Sequence, residues 1–170
     1  YLAVFRSETS GASRILAQRL DAAGNALDAE PIQVAASASS LTNPAAGWDG
    51  TRYLVVWENP SESNIYMRRL GADGTPLDPA PVLVMPGNQP ATAALGGVFL
   101  VAGTHAAQPH FRYPKAVRVR AADGAILDPT PVTLGSYFAT WPSVAELANR
   151  WAVVWQENPN HYDPRANVIA

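Results

Sequence analysis

Tyr53-Leu-Val-Val-Trp57 is the stretch on which the fold turns. Every residue in it is apolar, and most are β-branched or aromatic, the composition of a strand buried on both faces. The run returns in altered form as Tyr1-Leu-Ala-Val-Phe5, Phe99-Leu-Val-Ala-Gly103 and Trp151-Ala-Val-Val-Trp155. Pro44, Pro90 and Pro142 each stand nine residues ahead of the run that follows them. A second block trails the first three runs. It contains Gly24, Gly74 and Gly124, spaced 50 residues apart, with the pairs Leu27-Asp28, Leu77-Asp78 and Leu127-Asp128 and then Pro31, Pro81 and Pro131 in the same register. A period of about 50 residues built from strand-like segments points to propeller blades or a solenoid.

Each repeat resolves into four short strands, a to d. Strand b is the apolar run. Strand a precedes it, at about 45–48, 91–95 and 143–147, across the turn signals Asp49-Gly50, Gly96-Gly97 and Ala148-Asn149. Strand c, at 15–20, 65–70, 116–120 and 167–170, alternates apolar residues with Arg and Gln, which predicts one solvated face. The repeated glycine falls in the c–d turn, where a positive φ is expected. Strand d starts on a proline, which fits an outer edge because proline donates nothing to a ladder. Four antiparallel strands per 50 residues make the blade of an all-β propeller. About 3.5 blades are predicted: a partial blade at 1–43, full blades at 44–89 and 90–141, and a partial blade at 142–170. Such an arc is a fragment or half of a closed propeller, because open end blades expose sheet edges. The missing share would come from a longer parent chain or from a second copy, two sets of 3.5 making seven.

Composition narrows the function classes. The 170 residues are 48% hydrophobic, enough for a core. A net charge of −2 gives no footprint for nucleic acid. No apolar run is long enough for a membrane span. Cysteine is absent, which removes disulfides and thiolate chemistry. His105, His110 and His161 lack zinc-type spacing, and the Asp-Gly turns lack the alternating ligands of a calcium loop, so no metal and no cofactor are expected. No nucleophile elbow or phosphate-cradling loop is present, and no residue is assigned a catalytic role.

The repeat resembles those of propellers in large secreted bacterial proteins, in which a Tyr-Leu-Val-Val-Trp run is followed by an Asp-Gly turn, Leu-Asp and Pro-Val. The resemblance covers essentially the whole chain and implies an extracellular or cell-surface location. The third run departs from it, since Gly103 stands where Phe5, Trp57 and Trp155 supply an aromatic. Phe111, Tyr113 or Phe138 is expected to fill the gap.

The b–c and d–a connections share one rim of the sheets, and loops on a rigid scaffold concentrate function. That rim carries Glu58, Asn59, Tyr137, Trp141, Glu157, Asn158, His161 and Tyr162. Aromatics beside carboxylates and amides suit a glycan, whose apolar ring face stacks while its hydroxyls bond. The alternative for Glu-Asn-Pro is a turn motif in which Asn bonds its own backbone. The expected function is therefore a non-catalytic binding or scaffolding module for glycan or protein, and not an enzyme. A catalytic glycosidase fragment using Glu58 and Glu157, and a purely structural assembly module, are the alternatives.

Overall fold

The computed structural model describes residues 1–9, 11–108, 111–135, 139–157 and 165–169. Among them there is no helix, and fourteen strands form four antiparallel meanders. The first sheet is β1 (Leu2–Thr9), β2 (Ala12–Arg19) and β3 (Ile32–Ser37). The second is β4 (Thr42–Trp48), β5 (Arg52–Asn59), β6 (Asn64–Gly71) and β7 (Val82–Pro86). The third is β8 (Asn88–Leu95), β9 (Val98–Gln108), β10 (Phe111–Arg120) and β11 (Val132–Thr133), and the fourth is β12 (Ala139–Leu147), β13 (Arg150–Glu157) and β14 (Arg165–Ile169). The a-type strands β4, β8 and β12 lie against one another in that order, so they are the inner strands of a radial stack. This is an all-β partial propeller.

Period-2 alternation explains why the apolar runs stack the sheets. In β5, Val55 and Trp57 face the first sheet, in a core with Ile15, Ala17 and Val34. Leu54 and Val56 face the other way, into a core with Phe99, Val101 and Val117 of the third sheet. β9 repeats the arrangement: its Ala102 joins Val153 and Trp155 of the fourth sheet. Each central run thus cements two interfaces.

The expectation of a solvated face on strand c does not hold for β6. Tyr66 stacks on Trp57 with ring centroids 6.4 Å apart, and Leu70 is buried. Arg68 donates through Nη1 to Val34 O at 2.9 Å, in the preceding sheet. In β6 the arginines belong to interfaces with the neighbouring sheets, whereas Arg118 and Arg120 of β10 keep about half of their side-chain surface in solvent, as expected. The strands reach further into the b–c connections than expected in the third sheet, where β9 runs to Gln108 and β10 starts at Phe111. The gap at Gly103 is filled from the preceding sheet. A Cβ at Gly103 would lie 2.4 Å from Ile65 Cδ1 and 3.2 Å from Met85 Cε, so those two side chains occupy the aromatic's space. In the third a–b turn the left-handed residue is Ala148, with φ 55°, and not Asn149.

The Leu-Asp pair proves to be half of a clamp. Asp28 Oδ2 accepts from the Arg19 backbone N–H and Asp28 Oδ1 from the Arg19 guanidinium. Asp78 holds Arg69, and Asp128 holds Arg118, in the same way. The fixed guanidinium then reaches the next sheet's c–d turn. Arg19 Nη1 donates to Ala72 O at 3.4 Å and Arg69 Nη1 to Ala121 O at 3.1 Å. The repeated glycine serves this contact as well as its positive φ of 78–86°: a Cβ on Gly124 would sit 2.9 Å from Arg69 Nε.

Asp28 and Asp128, with three aspartates of the turns, set an acid limit on stability. The Arg19 guanidinium holds the Asp28 carboxyl below its usual range, and Arg118 does so for Asp128. Asp21, Asp73 and Asp123 are lowered by turn hydrogen bonds, chiefly from Asn25, Thr75 and Ala125 respectively. A carboxyl depressed in the folded state lets the unfolded chain take up protons first as pH falls. The stability it adds is therefore complete above the unfolded value of about 3.9 and is lost as pH drops through the folded values. Thermal melts from pH 7 to pH 3 should show a level midpoint down to about pH 5 and a steep fall below about pH 4. A midpoint that rises on acidification would contradict this.

Candidate functional site

The inner strands enter the sheets through the same irregularity. Asn43, Gln89 and Trp141 each precede a proline and each have positive φ, at 49°, 53° and 53°. The register shifts there in all three a–b ladders, between Thr42 and Ala45, Asn88 and Ala91, and Thr140 and Ser143. A bulky residue with φ above zero is a true outlier, and the residue before proline normally stays extended. Such strain costs about 1–3 kcal/mol and persists only where surroundings enforce it.

Here hydrogen bonds between sheets enforce it. Glu58, at the end of β5 and 7% exposed, accepts from Thr42 Oγ1 at 2.6 Å and from the Gln89 backbone N–H. Gln89 Oε1 in turn accepts the Trp141 backbone N–H at 3.0 Å and the Thr104 hydroxyl at 3.4 Å. At the first junction Ser13 Oγ accepts the Leu41 N–H at 2.9 Å. A polar seam therefore runs around the rim of the inner strands, linking Glu58, Gln89 and Trp141. The Trp141 backbone is anchored to it while the residue remains 60% exposed. Asn88, Gln89 and Thr140 stand beside it, half-buried.

Of the residues expected at this rim, Glu58 and Trp141 are brought together through Gln89. Glu58 spends both oxygens on the seam. Asn59 is 5% exposed and its Oδ1 accepts the Ser61 N–H at 3.2 Å, the local turn geometry that Asn-Pro favours. Glu157 stands in β13 opposite Ala139 and Arg165. Tyr137, Asn158, His161 and Tyr162, with His110, lie outside the described residues. His105 Nδ1 is 3.3 Å from Pro86 O. Among the described residues no group of three His, Cys, Asp or Glu could hold a metal.

Gln89 and the left-handed backbone at Trp141 were not singled out from the sequence. The signal available was the fixed proline, which locates all three bulges. A polar cavity of about 360 Å³ also opens on this rim at the first sheet, between Glu8, Thr9, Ser13 and Ser40. No helix of the described residues is long and apolar enough to cross a membrane.

No protein-family model matches the sequence, and no curated protein matches it. Solved structures do. The chain is similar to an endo-arabinase from Bacteroides thetaiotaomicron, at 16% identity and a TM-score of 0.60, covering 99% of this chain and 69% of that one. It is similar to an exo-1,5-α-L-arabinanase from a bovine ruminal metagenomic library, at 12% identity and a TM-score of 0.57, covering 98% and 72%. A thermostable family-43 glycoside hydrolase matches at 14% identity and a TM-score of 0.51, covering 98% and 70%. At these identities the likeness establishes the propeller fold. It also corrects the expectation that the chain stands apart from enzymes, because the solved proteins sharing its arrangement are glycosidases.

Proposed function

We propose that this chain is an arc of a glycan-acting propeller of the glycoside-hydrolase kind, with sugar bound at the rim of the inner strands. The observation that carries the reading is Trp141, an exposed indole whose strained backbone is locked to Gln89 from the neighbouring sheet. Exposing a large aromatic in this way costs stability, and observed strain of this kind points toward function. The indole offers a flat face for the apolar side of a sugar ring, and Asn88, Gln89 and Thr140, half-buried beside it, would supply polar groups for its hydroxyls. Arabinan-type polymers are the substrates that the solved neighbours' names suggest. The resemblance of the repeat to propellers of secreted bacterial proteins supports placement outside the cell or at its surface.

Glycosidase chemistry requires two carboxyl groups about 5–10 Å apart. Thr42, Asn43, Asn88, Gln89, Thr140 and Trp141, at the entries of the three inner strands, supply none. The role proposed for this rim is therefore sugar positioning. Titration of arabino-oligosaccharides into the protein by calorimetry tests it. Trp141→Ala should weaken binding roughly tenfold, the effect of about 1.4 kcal/mol expected from losing one aromatic platform. The fold should be unchanged by circular dichroism, since the anchoring bond is made by the backbone. Equal affinity in wild type and Trp141→Ala would overturn the reading.

A further inference from the structure

The carboxamide of Gln89 is fixed in one orientation. Its Oε1 lies 3.0 Å from the Trp141 backbone N–H, and a backbone N–H can only donate, so the atom facing Trp141 is the oxygen. The buried Thr104 hydroxyl stands 3.4 Å from the same oxygen. The Gln89 backbone is held as well, because its N–H donates to Glu58 and its φ is 53°. The NH2 group is thereby turned away from the seam. Among the described residues it makes no hydrogen bond, and it is not closed off from solvent. We infer that Gln89 sets the polarity of the sugar site: its Nε2 donates to an oxygen of the sugar stacked on Trp141, so the site takes neutral hydroxylated sugars and refuses an ammonium group at that position. This inference rests on the sugar-binding role proposed for the rim.

The neighbouring polar groups are either spent or free to turn. Glu58 accepts with both oxygens and is 7% exposed, and the Thr42 hydroxyl gives its one hydrogen to Glu58. Asn43 holds the equivalent place before Pro44, one sheet earlier. Its side chain makes no hydrogen bond among the described residues, so it can turn either its oxygen or its NH2 to a ligand. Gln89 has no such choice. A donor already held in place loses little freedom on binding, which favours the ligand it fits. A ligand ammonium set against it would meet a second donor and lose its water without a new acceptor, which is costly.

The test reads a ratio of affinities. Calorimetry compares arabinotriose with the glucosamine trimer in its ammonium form, for the parent chain and for Gln89→Glu. The substituted carboxylate can still accept the Trp141 N–H and the Thr104 hydroxyl, but its second oxygen now meets the ligand as an acceptor. Arabinotriose affinity should fall roughly ten- to a hundredfold, and the preference for arabinotriose over the glucosamine trimer should shrink at least as much. Damage to the fold alone would weaken both ligands and leave the ratio as it was, so an unchanged ratio overturns the inference. The new carboxylate stands near Glu58, and the parent chain therefore supplies a second readout. The side-chain NH2 resonance of Gln89 should move as arabinotriose saturates the site, and a resonance that stays in place overturns the inference whatever the variant does. If Trp141→Ala weakens binding while both Gln89 readouts stay still, the sugar site stands and only its polarity is wrong. If the parent chain binds no arabinotriose, both fall.

Discussion

Asp78→Ala should destabilise the protein by about 3–5 kcal/mol, the cost of leaving a buried charge without its partner. Arg69 and Asp78 are each 8% exposed at the side chain, and Asp78 takes hydrogen bonds from both the backbone and the guanidinium of Arg69. Without the carboxylate, Arg69 also loses the support that aims Nη1 at Ala121 O in the next sheet. The melting temperature should fall by roughly 10 °C for a chain of this size. The repeat supplies internal controls. The Arg19–Asp28 pair is more exposed, with side chains at 23% and 11%, and Arg118 of the third pair is 52% exposed. The order of damage should therefore be Asp78→Ala, then Asp28→Ala, then Asp128→Ala, because solvent replaces the lost partner more readily at each step. Equal effects at the three sites in parallel melts would show that burial does not set the strength of the clamp.

Trp57→Ala is expected to cost a similar amount, about 3–5 kcal/mol, by opening a cavity between the first two sheets. Trp57 is 1% exposed and packs with Ile15, Val34 and Leu70, with Tyr66 stacked on it. Chemical denaturation should show a lower midpoint. A separate early loss of the first sheet would be informative, since in a stack of repeats each sheet leans only on its neighbours. Trp57→Phe should recover much of the loss, because a phenyl ring still fills part of the space among Ile15, Val34 and Leu70. A Trp57→Ala protein as stable as wild type would mean that this junction contributes little to holding the stack.

The fold was legible because its determinants are local and repeated. Four apolar runs, a glycine every 50 residues and prolines ahead of the inner and outer strands give four sheets with their strands in order. The solvent-facing reading of Arg68 and Arg69 failed because period 2 reports only that two faces differ. It cannot distinguish water from a neighbouring sheet whose carbonyls accept guanidinium hydrogen bonds. The missing aromatic at Gly103 could not be resolved from its own blade either, since Ile65 and Met85 come from the preceding one.

By itself, the sequence determined the strands, their antiparallel order and the turn chemistry, all of which depend on residues near one another in the chain. Only the tertiary structure decided what the polar residues do. Glu58 became a seam between sheets rather than a free carboxylate, Asn59 a turn, and Trp141 an anchored and exposed indole. The reason is distance along the chain. Gln89 is 31 residues from Glu58 and 52 from Trp141, and a hydrogen bond across such a separation exists only once the sheets are stacked.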